Sequence, residues 1–135
     1  LEPFQVPFDL VEKIGYGQLL DDEELFSKLH AAEWETNVKI SENFTLHKTT
    51  QKLEYVRLEN NKYDCIFFDA FAPKKQPELW SSEIFRKLYQ ATKTGGVLTT
   101  YSAAGQLKRD LIAAGYTIEN PPGANGKREM TVAIK

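Results

Sequence analysis

The most informative part of the sequence is Tyr63-Asp64-Cys65-Ile66-Phe67-Phe68-Asp69-Ala70-Phe71-Ala72-Pro73. Its unbroken apolar run, residues 65–68, is typical of a central parallel strand that is buried on both faces. Asp69 ends the run, and ligands of open α/β sheets bind just outside the carboxyl ends of the strands. This position predicts a chemical role for Asp69, with a turn residue or helix cap as the alternative.

Length and composition predict an ordinary globular chain. Its 135 residues are enough for one domain, residues 1–135, with a sizeable core. The net charge of −2 argues against nonspecific nucleic-acid binding by the whole surface. No apolar run is long enough to span a membrane. The single cysteine, Cys65, is interpreted as a small core residue, which is compatible with a cytoplasmic protein.

The order of elements predicts an α/β fold. A helix is expected from Asp21, with Glu24 completing a capping box. A hairpin is expected around Glu42-Asn43. From Asn61 onward the pattern reads strand, helix, strand, helix, strand, loop, strand. Two right-handed crossovers and a final hairpin give a mostly parallel sheet with an antiparallel strand near its C-terminal edge.

Local patterns predict the individual elements of that sheet and its helices. Gly15-Tyr16-Gly17 is expected to be a loop. The helix after Trp80 is expected to bury one face, consisting of Ile84, Phe85, Leu88 and Ala91. Gly95-Gly96 is expected to end it before a strand over residues 97–102. Gly115 is expected to terminate the next helix, and the closing strand is expected over residues 129–134.

Several motifs resemble one known family. Residues 69–80, Asp-Ala-Phe-Ala-Pro-Lys-Lys-Gln-Pro-Glu-Leu-Trp, are similar to the hallmark of the methyltransferase domain of MnmC-type tRNA-modifying enzymes. In this chain Gln76 replaces the usual Asn. The resemblance continues through residues 95–105 and closes with Gly-Lys-Arg-Glu-Met at residues 126–130. Leu-Glu-Pro-Phe at residues 1–4 resembles the end of the family's second strand.

The resemblance implies a fold and an activity. It implies a class I, Rossmann-like methyltransferase that uses S-adenosylmethionine (SAM). Family members methylate the aminomethyl group at C5 of the tRNA wobble uridine, giving 5-methylaminomethyl-2-thiouridine. In many bacteria the domain is fused to a flavin-dependent oxidoreductase, so tRNA and such an oxidoreductase are the implied partners.

Two departures from the family concern its cofactor half. A first strand and a glycine-rich turn precede the Leu-Glu-Pro-Phe position in the family, and the given sequence begins at that position. The family places an acid after its third strand, whereas this chain has Lys48-Thr49-Thr50. We therefore expect an N-terminally truncated domain with weak or absent activity alone. Exposed sheet edges would then favour a homo-oligomer.

The resemblance gives Asp69 the catalytic role and a place beside the cofactor. Methyl transfer to an amine requires an aligned lone pair and no metal, and a carboxylate that accepts an amine N–H can orient that lone pair. Phe71 and Pro73 would form a wall beside the target base. Glu2 matches the acid that bonds the ribose hydroxyls of SAM, since a carboxylate can accept both hydroxyl hydrogens. Thr49 lies in the segment that corresponds to the family's adenine-binding acid, so the resemblance implies that Thr49 contacts the cofactor there.

The remaining candidates are substrate-binding residues. Trp80 stacks on nucleoside or, as the favoured alternative, anchors its own helix. Tyr101 and Ser102 lie at the carboxyl end of the strand predicted over residues 97–102 and would line the pocket, although Ser102 is equally explained as a helix cap. Lys127 and Arg128 follow a glycine-containing loop and are candidates for phosphate contacts.

Other function classes stay open. An aminopropyltransferase of the same fold would also place an Asp after its fourth strand and act on an amine. A non-catalytic module that docks tRNA or an oxidoreductase is a second alternative. A nicotinamide dehydrogenase is disfavoured because no G-x-G-x-x-G follows any predicted strand.

Overall fold

The computed structural model describes residues 1–19, 22–121 and 130–135. The chain forms two compact units, Leu1–Tyr55 and Val56–Lys135. The expectation of one domain over residues 1–135 stays a prediction. No helix in the described ranges has the length and apolar character needed to cross a membrane.

The first unit begins with three short helices, α1 (Phe8–Lys13), α2 (Tyr16–Leu19) and α3 (Glu23–Ala31). The loop predicted at Gly15-Tyr16-Gly17 is wrong, because α2 begins at Tyr16, and only Gly15 turns the chain, with a φ of 74°. The predicted N-cap of α3 is displaced by one residue. Asp22 caps it, accepting a hydrogen bond from the Leu25 backbone N–H at 2.9 Å. Asp21 lies outside the described residues.

The first unit ends in a hairpin of β1 (Asn37–Ser41) and β2 (Phe44–His47). The strands pair antiparallel around Glu42-Asn43, as the alternating pattern predicted. The hairpin leads directly to Thr49 and Thr50, which are candidate site residues.

The second unit contains a four-stranded sheet of β3 (Tyr63–Phe67), β4 (Thr92–Thr100), β5 (Thr117–Glu119) and β6 (Thr131–Ile134). The spatial order is β3-β4-β6-β5. β3 and β4 are parallel, and β6 is antiparallel to both of its neighbours. Three strands therefore point the same way, and one opposing strand lies between β4 and β5. This arrangement confirms the predicted α/β fold with an antiparallel strand near the C-terminal edge.

Two helices supply the core of the second unit, α4 (Ser82–Ala91) and α5 (Gly105–Ala114). Ser81 caps α4 by accepting from the Ile84 backbone N–H, and Gly115 ends α5 with a φ of 116°. The predicted inward face of α4 is confirmed, since its four members are buried: Ile84, Phe85, Leu88 and Ala91. Leu98 of β4 and Ala133 of β6 are fully buried.

The structure corrects the prediction for β3. Among the described residues β3 pairs only with β4, so it is an edge strand. Cys65 is exposed and Phe67 is 81% exposed, because their side chains share the sheet face opposite to the buried face of Leu98. The expectations of a strand buried on both faces and of a core cysteine are therefore wrong.

The boundary between α4 and β4 also differs from the prediction. β4 begins at Thr92, so Gly95 and Gly96 lie within the strand. They form an irregularity in the pairing with β3. A Cβ on Gly96 would lie 2.9 Å from the Lys93 carbonyl oxygen and 3.0 Å from that of Asp64, so the close approach requires glycine.

Candidate functional site

Asp69 lies at the carboxyl edge of the second unit's sheet. It follows β3 by two residues, and the intervening Phe68 is buried. The Phe68 backbone N–H donates to the Thr99 carbonyl at 2.8 Å. The backbone therefore stays hydrogen-bonded to β4 up to the residue before Asp69. The Asp69 side chain is exposed. None of the hydrogen bonds or ion pairs among the described residues involves its carboxylate, so both oxygens can accept from a ligand.

Three side chains hold the loop that follows Asp69, and we call Gln76, Trp80 and Tyr101 the loop clamp. The Tyr101 hydroxyl donates to the Ala70 carbonyl at 3.0 Å. The Gln76 side-chain carbonyl accepts from the Phe71 backbone N–H at 3.2 Å. The Trp80 indole N–H donates to the Phe71 carbonyl at 2.7 Å. Polar bonds therefore fix a loop that buries little of its own surface.

The loop presents apolar groups to solvent. The Phe71 ring is 74% exposed, and Pro73 is also exposed. The two residues lie on the same loop as Asp69, as the sequence analysis expected. An exposed ring on the same loop as an available carboxylate suits a flat, amine-bearing substrate.

Trp80 anchors the loop to the buried core of the second unit. Its side chain is 9% exposed and ends the 3₁₀ turn Pro77–Trp80. It packs edge-to-face against Phe68, Phe85 and Tyr101, with ring centroids 5.2, 6.5 and 6.3 Å away. This burial supports the anchoring role and leaves little ring surface for stacking on a nucleoside.

Ser102 follows β4 beside Tyr101, and its backbone is tied to β6. The Thr131 hydroxyl donates to the Ser102 carbonyl at 2.8 Å. Ser102 does not cap α5, because the N-cap is Ala104 and no side chain bonds there. The helix-cap alternative for Ser102 is therefore wrong.

In the first unit the structure brings together two of the three residues predicted to bind the cofactor, Glu2 and Thr49. The Glu2 backbone N–H donates to the Thr49 carbonyl at 2.9 Å. Thr49 is buried, and the Glu2 side chain is exposed. The backbone of Glu2 thus lies beside that of Thr49, two residues after β2 ends, and the Glu2 carboxylate accepts from the Phe4 backbone N–H at 3.2 Å.

Glu35 also belongs to this group, although no pattern in the sequence predicted it. Its carboxylate accepts from the Thr50 backbone N–H at 2.6 Å, from the Thr50 hydroxyl at 2.8 Å and from the Thr49 hydroxyl at 2.8 Å. The first of these bonds is the largest cause that holds the pKa of Glu35 below its usual range, followed by the two hydroxyl bonds. An acid therefore stands beside Lys48-Thr49-Thr50 after all, contributed from the segment before β1.

Glu35 also adopts an uncommon backbone conformation, with a φ of 60°. Residues other than glycine rarely occupy this region, and such conformations cluster at functional sites. The role of Glu35 becomes visible only through its bonds to Thr49 and Thr50, which are distant in sequence. The residues around Glu35, including Trp34, form no motif that predicts this role.

The residues of the first unit fit the adenosine part of SAM by their chemistry. Ribose hydroxyls and an exocyclic amine are hydrogen-bond donors, and carboxylates are acceptors only. Glu2 supplies one exposed carboxylate, whose Oε1 also accepts from the Phe4 backbone N–H. Both oxygens of Glu35 accept from Thr49 or Thr50, so Glu35 orders these two threonines. No group of three or more His, Cys, Asp or Glu able to hold a metal occurs in the part of the chain that the structure describes. Lys127 and Arg128 lie outside that part.

Known proteins share sequence with this chain. It is 44% identical over 70 residues to the tRNA 5-methylaminomethyl-2-thiouridine biosynthesis bifunctional protein MnmC of Cupriavidus metallidurans, a match that covers 52% of this chain and 10% of that protein. It is 40% identical over 70 residues to the MnmC protein of Ralstonia nicotianae, covering 52% of this chain and 11% of that protein. The match thus covers about a tenth of the length of these curated relatives.

Solved structures share the fold. The MNMC2 structure from Aquifex aeolicus matches with a TM-score of 0.63 and 26% identity, covering 83% of this chain and 35% of that chain. A protein described as a possible exported protein from Bordetella parapertussis matches with a TM-score of 0.51 and 14% identity, covering 65% and 43%, which supports the fold alone. The family model described as S-adenosyl-L-methionine-dependent methyltransferase matches residues 19–135. The chain belongs to this family of SAM-dependent methyltransferases.

Proposed function

We propose that this chain catalyses SAM-dependent N-methylation of the 5-aminomethyl group of wobble 2-thiouridine in tRNA. The observation that carries the proposal is the exposed carboxylate of Asp69 at the carboxyl edge of the sheet, on a loop that the loop clamp holds in place. The likeness to MnmC proteins, whose name describes 5-methylaminomethyl-2-thiouridine biosynthesis, supports this choice of substrate.

Asp69 has two tasks in this reaction. Bound SAM would supply an electrophilic methyl group, with its sulfur as the leaving group. Asp69 accepts one N–H of the neutral amine, which directs the nitrogen lone pair toward that methyl group. As the new N–C bond forms, the nitrogen gains positive charge, and Asp69 or water beside it accepts the proton. A carboxylate also favours the unreactive ammonium form, so orientation is the larger part of its role.

Phe71 and Pro73 would provide an apolar wall for the base. Single-stranded RNA bases commonly stack on aromatic side chains, and Phe71 offers an exposed ring. Exposed Lys74 and Lys75 follow Pro73 and would meet backbone phosphates near that base. We assign phosphate contacts to Lys127 and Arg128 as well.

Glu2, Thr49 and Glu35 would hold the adenosine part of SAM. The Glu2 carboxylate would accept the ribose hydroxyl hydrogens. Glu35 and Thr49 form a fixed polar group beside it, and that group suits the adenine edge. We further propose a flavin-dependent oxidoreductase as a partner that supplies the aminomethyl precursor, since the MnmC relatives are named bifunctional.

A single-turnover assay tests the proposal. The chain, in excess over substrate so that weak activity is detected, is incubated with SAM and tRNA carrying 5-aminomethyl-2-thiouridine. We expect the mass of one methyl group to be added to the wobble nucleoside and none to tRNA that lacks the aminomethyl group. Transfer of an aminopropyl group from decarboxylated SAM to a polyamine would instead support the aminopropyltransferase. SAM-independent tRNA binding without any transfer would support the docking module.

A further inference from the structure

The peptide group between Ala70 and Phe71 is held at both of its polar ends. Its carbonyl oxygen accepts from the Tyr101 hydroxyl, and its N–H donates to the Gln76 side chain. Both bonds act on one rigid plane, because a peptide unit is planar. Rotation of this plane about its two flanking bonds is therefore restrained from opposite sides.

This plane links the two residues proposed to act on the substrate. Asp69 precedes it by one residue, and Phe71 follows it directly. A change in its orientation would turn the carboxylate and the ring relative to each other. The plane therefore sets the geometry in which an amine and its base would be held.

The two bonds contribute little to the core. Asp69, Phe71 and Pro73 are exposed, so ordering this loop buries little apolar surface. Loop ordering opposes folding through lost conformational entropy. Tyr101 reaches Ala70 from the end of β4, while its own ring stays 43% exposed. Side chains from two separate elements thus order a segment whose conformation the hydrophobic core does not require.

We propose that Tyr101 and Gln76 are positioning residues for methyl transfer, because together they fix the peptide plane between Asp69 and Phe71. The inference rests on the proposed function for the reaction itself. In this proposal the Tyr101 hydroxyl orders the loop after Asp69, which is a different role from lining the pocket. The proposal also assigns a function to Gln76, which replaces the family's usual Asn, because its side-chain amide accepts the bond from the Phe71 N–H.

Tyr101→Phe removes one hydroxyl and keeps the ring that packs on Trp80. We expect kcat for tRNA methylation to fall about tenfold, a loss within the range for misplaced catalytic groups. The KM for SAM should change less than about twofold, since no step of SAM binding uses this hydroxyl. Amide hydrogen exchange at Phe71 should accelerate several-fold, because its bond to Gln76 would open more often.

Tyr116→Phe is the matched control. Its hydroxyl bonds to the Thr92 hydroxyl at 2.8 Å inside the same unit, so it too loses one hydrogen bond. Tyr116 is buried, and we expect lower thermal stability with unchanged kcat and unchanged relative exchange at Phe71. The two variants should therefore separate positioning from general stability.

Gln76 offers a second, independent pair of variants. Gln76→Met keeps the length of the side chain and removes the acceptor for the Phe71 N–H, so it should reproduce the effects of Tyr101→Phe. Gln76→Glu retains an acceptor oxygen and should restore slow exchange at Phe71.

The outcomes distinguish this inference from the proposed function. Unchanged kcat and unchanged exchange in Tyr101→Phe, or equal effects in Tyr116→Phe, would overturn the positioning role. Faster exchange with unchanged kcat would also overturn it, since the loop would then be ordered without consequence for transfer. If the unmodified chain transfers no methyl group to the aminomethyl tRNA, the proposed function is wrong. Tyr101 and Gln76 then have no role in methyl transfer. The exchange data would still report whether these bonds order the loop.

Discussion

The indole N–H of Trp80 donates to the carbonyl oxygen of Phe71 at 2.7 Å. Trp80 is buried and ends a 3₁₀ turn, whereas the ring of Phe71 points into solvent. One bond thus ties an exposed aromatic residue to the aromatic cluster beneath it. This relationship explains how a loop with little burial can keep one conformation.

The bond predicts different behaviour for the two tryptophans of the chain. The Trp80 indole proton should exchange with solvent much more slowly than that of Trp34, for which the described residues provide no hydrogen-bond acceptor. Trp80→Phe should lower the free energy of unfolding by about 2 kcal/mol, from the lost bond and the lost volume. NMR exchange and urea denaturation check these values. Equal exchange of the two indole protons would contradict the account.

Phe71 should contribute to tRNA affinity without contributing to stability. Phe71→Ala is expected to weaken tRNA binding about tenfold, because loss of one base–aromatic stack costs about 1–3 kcal/mol. Its unfolding free energy should stay within about 0.5 kcal/mol of the unmodified chain, as for other exposed positions. Filter binding at fixed salt measures the affinity.

Phe67→Ala provides the control for that experiment. Phe67 is equally exposed in the same unit but lies on the open face of β3 rather than on the loop. It should leave tRNA affinity unchanged. Equal losses in the two variants would show that exposed apolar area, and not the position of the ring, governs binding.

Glu35 should make the free energy of unfolding depend on pH. Its pKa in the folded state lies below the ordinary value of 4.5 because of the bonds from Thr50 and Thr49. A lowered pKa stabilises the fold above pH 4.5, and this contribution is lost as the pH falls through the folded-state pKa. Glu35→Gln should therefore be less stable than the unmodified chain at neutral pH, with a difference that shrinks in acid.

Urea denaturation over a pH series measures this difference. Glu33→Gln, which removes the same formal charge two residues earlier, serves as the control for the effect of net charge alone. A Glu35→Gln variant whose stability deficit is the same at all pH values would refute the assigned cause.

The edge of β3 should promote self-association. Its backbone has no second strand among the described residues, and Phe67 is exposed beside it. We expect light scattering to give a mass above that of the monomer. Phe67→Lys should reduce that mass, since charge on an edge strand opposes pairing. Ile112→Lys, at another exposed apolar position of the same unit, should leave it unchanged. A monomer at all concentrations would exclude this mode of assembly.

Elements with a local periodic signal could be predicted from the sequence. The inward face of α4 was predicted residue by residue, because a spacing of 3.6 residues directly encodes which side chains share a face. The position of Asp69 after a strand was also predictable, since an apolar run followed by a carboxylate is a local pattern.

Features that depend on distant partners could not be predicted. An apolar run does not reveal whether both faces of its strand are covered, and the exposure of Cys65 and Phe67 was therefore missed. Glu35 meets Thr49 across 14 residues, and Tyr101 meets Ala70 across 31. Such contacts leave no periodic trace in the sequence.

A comparison of three forms of the chain tests the assigned role of the Asp69 carboxylate in methyl transfer. Single-turnover methyl transfer to tRNA carrying 5-aminomethyl-2-thiouridine is measured for the unmodified chain, for Asp69→Asn and for Asp64→Asn. Asp64 is an exposed residue of β3 that pairs with Lys93, so its variant removes the same charge nearby. We predict a rate loss of about 100-fold for Asp69→Asn and less than about twofold for Asp64→Asn. Equal rates for Asp69→Asn and the unmodified chain would show that the Asp69 carboxylate does not orient the amine.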